Sequence, residues 1–320
     1  MKKRLTTCFI AYFLIFTVCF TDFQTNAFFP PQDSIKGSSK PFTVLWLADP
    51  QYYASYYPAT YDFLGNWFVK KYKRNSFGYV IVSGDIVNSA DCTKQWEIAS
   101  RNFKKLDAAN VPYGVVAGNH DIIVNNSIDY SMFGNYFSAS RYKDKPWYGG
   151  SMDNNRNHYD LMTFGGHDFI FLYLGYGTEA TTKSVSWSNK VLKEFSQRNA
   201  ILILHEYMDT DGKLTKSGLS VFNRIISQND NLLLVLCGHY HGAQRNIKTI
   251  YKSDGSIRKV LEILSDYQNA PHGGDGYLRY LEFYPDSGIL RVFSYSPYIK
   301  RYNFFGAGCD SFIENLELID

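Results

Sequence analysis

The chain has 320 residues, 45% of them hydrophobic and 20% charged, with a net charge of +3. That length carries one large domain with a full core, and that composition excludes a disordered or collagen-like chain. The charge is small and no basic stripe is visible, so no nucleic-acid-binding surface is expected.

In chain order, the N-terminus reads as a secretory signal. Met1-Lys2-Lys3-Arg4 is a basic start, residues 8–20 are apolar but short for a membrane span, and Thr25-Asn26-Ala27 ends in a small residue. A signal over residues 1–27 places the remainder outside the cytoplasm, secreted or periplasmic; the alternative is a chain membrane-anchored by an uncleaved signal. Residues 28–40 are rich in Pro, Gly and Ser and read as a flexible lead-in. Beyond the signal, Cys92, Cys237 and Cys309 allow at most one disulfide, of open pairing.

From Pro41 onward short apolar runs alternate with amphipathic stretches. Strands are expected over 42–48, 79–83, 111–117, 169–174, 201–204 and 232–237, and helices over 61–72, 92–109, 186–198 and 217–228. That alternation predicts a layered α/β fold. Three further strands, 259–264, 277–284 and 289–295, follow at short turns and read as an antiparallel C-terminal addition. No linker separates the parts, so residues 41–320 form one domain.

The chemistry-bearing residues cluster at strand ends. Asp49 and Gln51 follow the first strand, Asp85 the second, and Asn119, His120 and Asp121 the third. His205 follows the run 201–204, and His239 and His241 follow 232–237. In open α/β sheets ligands bind at the carboxyl ends of the strands. Alone, an Asp at such a place is usually a helix N-cap, and a His a hydrogen-bonded structural residue. Together they make a metal site of carboxylate, carboxamide and imidazole donors, suited to Mn, Zn, Fe, Ni or Co. Gly84, Gly118, Gly238 and Gly242 stand where the backbone is expected to turn sharply. His158 and His167 flank an expected hairpin at Gly165-Gly166 and, like His272, lack a ligand context. Tyr52, Tyr207 and Tyr240 adjoin expected ligands and either pack or line the mouth of the site.

Asp49-Pro50-Gln51, Gly84-Asp85, Gly118-Asn119-His120-Asp121, His205 and Gly238-His239-Tyr240-His241 resemble, in order, the motifs of the calcineurin-like metallophosphoesterases. The resemblance spans about residues 42–242 and implies an α/β/β/α sandwich with two divalent or mixed-valence metal ions. It implies one ion on Asp49, Gln51, Asp85 and His241, and the other on Asp85, Asn119, His205 and His239, bridged by Asp85. His120 is implied as the acid or phosphate stabiliser, with Asp121 orienting its ring and a metal-bridging hydroxide as nucleophile. The chain departs from the pattern at Gln51, where the family usually has His; a carboxamide oxygen is the weaker donor. Asn88, three residues after Asp85, stands where purple acid phosphatases carry Tyr, so no tyrosinate–iron colour is expected.

The implied function is hydrolysis of a small phosphate ester or phosphorylated substrate, monoester or diester. The alternative, argued from Gln51, is a binding protein that keeps the fold without activity. The stretches Asp266-Tyr267-Gln268, Gly273 to Arg279 and Tyr295-Ser296-Pro297 resemble the C-terminal part of a secreted branch of these enzymes. They read as a turn framework or as a Gly-rich loop that offers N–H groups or holds Gln268 near substrate.

Overall fold

The computed structural model describes residues 41–252 and 254–319. The expected signal and lead-in lie outside the described residues. Among those described, no helix is long and apolar enough to cross a membrane.

In chain order the strands are β1 (Phe42–Leu47), β2 (Tyr79–Val82), β3 (Tyr113–Val115), β4 (Ile123–Val124), β5 (Ile128–Asp129), β6 (Tyr148–Met152), β7 (Asn157–Phe164) and β8 (His167–Leu174). They continue with β9 (Asn199–Leu204), β10 (Leu232–Cys237), β11 (Gly242–Tyr251), β12 (Ile257–Asp266), β13 (Leu278–Tyr284), β14 (Ile289–Ser296), β15 (Arg301–Tyr302) and β16 (Phe312–Asn315). The helices of use below are α1 (Gln51–Ser55), α2 (Pro58–Tyr72), α3 (Thr93–Ala108), α4 (Ser131–Phe137), α5 (Ala139–Tyr142), α6 (Thr182–Glu194) and α7 (Lys216–Arg224). One seven-stranded sheet runs β15-β14-β13-β1-β2-β3, with β16 also paired to β14; the second runs β11-β12-β10-β9-β8-β7-β6.

Strand periodicity explains the layers. Successive side chains point to opposite faces, and here both faces are buried. Val44 and Trp46 of β1, Ile81 of β2, Phe169 and Phe171 of β8 and Ile201 and Ile203 of β9 meet between the sheets. The alternate residues Leu45, Leu47, Val80 and Val82 face α2 and α3, through Leu64, Phe68, Trp96, Ala99, Phe103 and Leu106. On the other side Ile170, Leu172, Leu202 and Val235 face α6 and α7, through Val185, Val191, Leu192 and Val221. The result is the expected α/β/β/α sandwich.

The C-terminal strands are built into the sheets. β13 lies antiparallel beside β1, with Val44 opposite Leu281. β12 runs parallel to β10, with Leu234 opposite Leu261, and antiparallel to β11. The parallel pairing of β12 departs from the wholly antiparallel addition expected from its short turns, and it brings the end of β12 to the same sheet edge as the end of β10.

Helix starts differ where caps decide them. α6 begins at Thr182, ahead of the expected 186, because the Thr181 hydroxyl accepts the Ser184 N–H. α2 begins at Pro58, whose missing N–H costs nothing in a first turn. The β7–β8 hairpin turns at Gly165 and Gly166 as expected, with φ of 59° and 85°. Cys92, Cys237 and Cys309 are free thiols.

Candidate metal centre

β1, β2, β3, β9 and β10 all end at one edge, and the residues that follow them converge there. Asp49, Asp85 and His205 are buried, and their ligand atoms lie within 4.8 Å of one another. Asn119 Oδ1 is 2.9 Å from His205 Nε2 and 2.9 Å from His239 Nδ1. His205 Nε2 is 3.3 Å from Asp85 Oδ1, and its other ring nitrogen meets the Ser83 carbonyl at 3.0 Å. Gln51 Nε2 donates to Asp85 Oδ2 at 3.2 Å and also touches Gln268 Oε1. The Gln268 amide in turn touches His241 Nε2. All seven expected ligands therefore meet in one cluster.

The backbone is strained where the ligands sit. Asp49, Asp85 and His239 adopt left-handed conformations, with φ of 52°, 52° and 73°. Non-glycine residues at positive φ each cost on the order of 1–3 kcal/mol and persist where the surroundings impose them. The glycines play a different part from the one expected. Only Gly84 has positive φ, at 108°. Gly118 and Gly238 are needed because nothing larger fits: a Cβ on Gly118 would lie 2.2 Å from Asp85 Oδ1, and one on Gly238 2.0 Å from Asp49 Oδ2.

The electrostatics call for positive charge. Burial lifts Asp49 well above the ordinary carboxylate range, and Asp266 and Asp85 beside it add to the lift. Burial likewise lifts Asp266 to about 7. Burial disfavours the cationic form of His205, but Asp85 and Asp49 outweigh it and hold the ring up at about 10. His239 is pushed down to about 4, by burial first and then by His205. Three buried oxygens, Asp49 Oδ2, Gln51 Oε1 and Asp266 Oδ2, have no hydrogen-bond partner among the described residues. Buried polar atoms are almost always partnered, so oxygens in this state fit bound cations.

His120 and Asp121 divide differently from the expectation. His120 Nδ1 meets the Asn88 carbonyl at 2.8 Å, and its backbone N–H donates to Asp85 Oδ1 at 2.9 Å. The Asp121 carboxylate accepts the N–H groups of Ile86, Val87 and Gly118 at 2.8, 3.0 and 2.8 Å. It thus ties the loop after β2 to the loop after β3, and Asn88, in place of Asp121, holds the His120 ring. Tyr207 is buried and donates to Glu262, so it packs, whereas Tyr240 lies edge-on to His239 at 4.7 Å.

Sequence reasoning passed over Tyr176, whose ring lies 5.9 Å from His205 and 6.1 Å from His239. It also gave no ligand role to Asp266, at the end of β12. A sixth strand ending in Asp was the available signal, hidden by the antiparallel reading of that strand. In the 271–276 turn the N–H groups of Gly274, Asp275 and Gly276 are taken by Ala270 O, Pro271 O and Tyr53 Oη. These three N–H groups are taken up within the fold, and Gln268 is the residue that reaches the site.

The fold and this donor set define a class, the metal-dependent hydrolases of phosphoric esters. Within it the chain belongs to the calcineurin-like phosphoesterases, whose family model matches residues 42–243 and whose members are built around a two-metal centre. The uncharacterized protein YvnB of Bacillus subtilis (strain 168) is 40% identical over 277 residues, 86% of this chain and 21% of YvnB. The chain thus spans about a fifth of that relative's length. Among solved structures, the purple acid phosphatase PPD1 from yellow lupin (Lupinus luteus) seeds aligns with a TM-score of 0.58 at 13% identity, covering 88% of this chain and 55% of that one. That likeness is one of fold.

Proposed function

We propose that the chain is an extracytoplasmic hydrolase of phosphate monoesters or diesters, with Asp49, Gln51, Asp85 and His241 holding one cation and Asp85, Asn119, His205 and His239 the other. The observation that carries the reading is the convergence of these donors at one strand edge with buried oxygens left unpartnered. The N-terminal signal read from the sequence supports the location.

When bound, two cations neutralise the ester's charge and make a water acidic enough to act as hydroxide near neutral pH. The chain's own residues then position and protonate. The Asn88 carbonyl, accepting from Nδ1–H, fixes the tautomer of His120 and leaves Nε2 for a substrate oxygen. When Nε2 bears a proton, His120 donates a hydrogen bond to a phosphoryl or leaving-group oxygen. Asn88 is itself held: its N–H and that of Ser89 donate to Gln95 Oε1, at 2.7 and 3.0 Å. Tyr176, whose phenol burial pushes up to about 12, stays a neutral hydrogen-bond donor at the mouth.

The test is hydrolysis of p-nitrophenyl phosphate and its bis ester with Mn, Zn, Ni, Fe or Co added. Turnover with at least one metal is expected, abolished by chelation; folded protein inert with every metal and both esters would overturn the proposal. His120→Ala should lower kcat by about 10²-fold or more with metal content unchanged. A fully active His120→Ala variant would remove His120 from the mechanism and spare the metal site.

A further inference from the structure

We propose that Asp266 is a further ligand of the first metal position, joining Asp49, Gln51, Asp85 and His241, and that it makes this position oxygen-rich and selective for a hard cation such as Mn2+. The inference rests on the metal assignment just given.

Because β12 runs parallel to β10, Asp266 leaves its strand at the edge where His239 and His241 follow theirs. Its side chain is fully buried. One oxygen, Oδ1, accepts the Gln268 N–H at 2.8 Å. The other, Oδ2, has no hydrogen-bond partner among the described residues and stands 3.7 Å from His241 Nε2. The opposite nitrogen of that ring, Nδ1, meets the Asn269 side-chain amide. An imidazole that binds a metal uses one nitrogen and gives the other to a neighbouring oxygen. The Asn269 amide occupies the outer place, and the Gln268 amide touches the inner nitrogen. Asp266 is on the inner side, where the cation belongs, and not where a carboxylate would stand merely to orient the ring.

Charge points the same way. Asp49, Asp85 and Asp266 are three buried carboxylates at one strand edge. The ion-pair partners of these three are histidines, His205 and His241. Burying like charges together is strongly unfavourable unless a cation joins them. Asp266 also answers the departure at Gln51: where a neutral carboxamide replaces imidazole, a nearby carboxylate restores donor strength. The first position then offers oxygens of Asp49, Gln51, Asp85 and Asp266 with one imidazole, and the second offers two imidazoles. Carboxylate and carbonyl donors suit Mn2+, and imidazole suits Zn2+.

The experiment compares the wild-type chain with Asp266→Asn, which keeps an Oδ1 for the Gln268 N–H. Both are stripped of metal, titrated calorimetrically with Mn2+ and with Zn2+, and assayed for bound metal after dialysis. The wild type should hold two ions. The variant should hold one, its Mn2+ affinity at the other position lowered by at least about tenfold, with the tighter Zn2+ step unchanged. Stripped of metal, it should melt no lower than the stripped wild type, because a buried like charge is gone. Two ions bound by the variant with wild-type affinity would overturn the inference. A wild type that binds no ion would sink the metal assignment itself, a separate failure. Should Asp266→Asn not fold, Asp266→Ser is measured the same way; if neither folds without metal, Asp266 belongs to the framework and the inference falls.

Discussion

At the scale of single residues, the site depends on how closely backbone approaches carboxylate. Gly238 and Gly118 are spacers set by contact distance, so an added methyl acts directly on Asp49 or Asp85. Gly238→Ala is expected to fold with a loss of about 1–3 kcal/mol, as overpacking usually costs, and to bind one ion fewer. Elemental analysis together with urea denaturation checks both parts. The seven expected ligands were legible because each follows an apolar run directly, so their placement needed only the sheet edge. The left-handed backbone at Asp49, Asp85 and His239 was not legible, since Asp and His tolerate that conformation but the surrounding fold decides where it occurs. The partner of the His120 ring was hidden for a similar reason: Asn88 acts through its backbone carbonyl, which no side-chain pattern announces.

At the scale of elements, both edges of the site and the ends of the helices turn on local contacts. The Thr181 hydroxyl supplies the first turn of α6 with an acceptor. Thr181→Ala should cost about 1 kcal/mol in urea denaturation and leave metal binding unchanged, because α6 covers the far face of the second sheet. The sequence places this helix late, since the polar first turn Thr182-Lys183-Ser184 carries no apolar spacing to mark it. Strands with apolar runs were legible, whereas β6 and β11, half-exposed along their length, were not; strand direction was not legible either. β12 follows β11 by a short turn and pairs with it antiparallel, yet its other neighbour, β10, is parallel. Direction relative to a distant strand depends on packing far away in sequence, and that is what conceals Asp266.

At the scale of the whole molecule, the space between the sheets holds polar groups as well as apolar ones. His158 stacks on Tyr173 at 4.2 Å, with its Nδ1 buried and unpartnered. Close by, Tyr79 donates to Asp160 and lies 2.9 Å from the Tyr173 hydroxyl. Burial pushes His158 down to about 3. Its folded pKa is below its unfolded value of about 6.5, so the unfolded chain takes up the proton first. The associated stability is complete above about pH 6.5 and is lost as pH falls towards 3, on the order of a few kcal/mol. Burial raises the Asp160 carboxyl, which acts in the opposite sense, but it does so in the wild type and in a His158 variant alike and drops out of their comparison. His158→Phe should therefore flatten the acid limb of a stability-versus-pH curve measured by chemical denaturation; an unchanged slope between pH 6.5 and 4 would refute the assignment.

The position of β1 between β2 and β13 carries a consequence for the order of assembly. β1 bears Asp49 at its end, yet its antiparallel neighbour arrives most of the chain later, with Val44 opposite Leu281. Pairings between sequence-distant strands close long loops and are slow to form. Until β13 docks, β1 is an open edge and Asp49 has no fixed place. In refolding, secondary structure should return first and cation uptake only with the slowest phase, so a chain interrupted before residue 278 would present a sticky strand edge in place of a binding site.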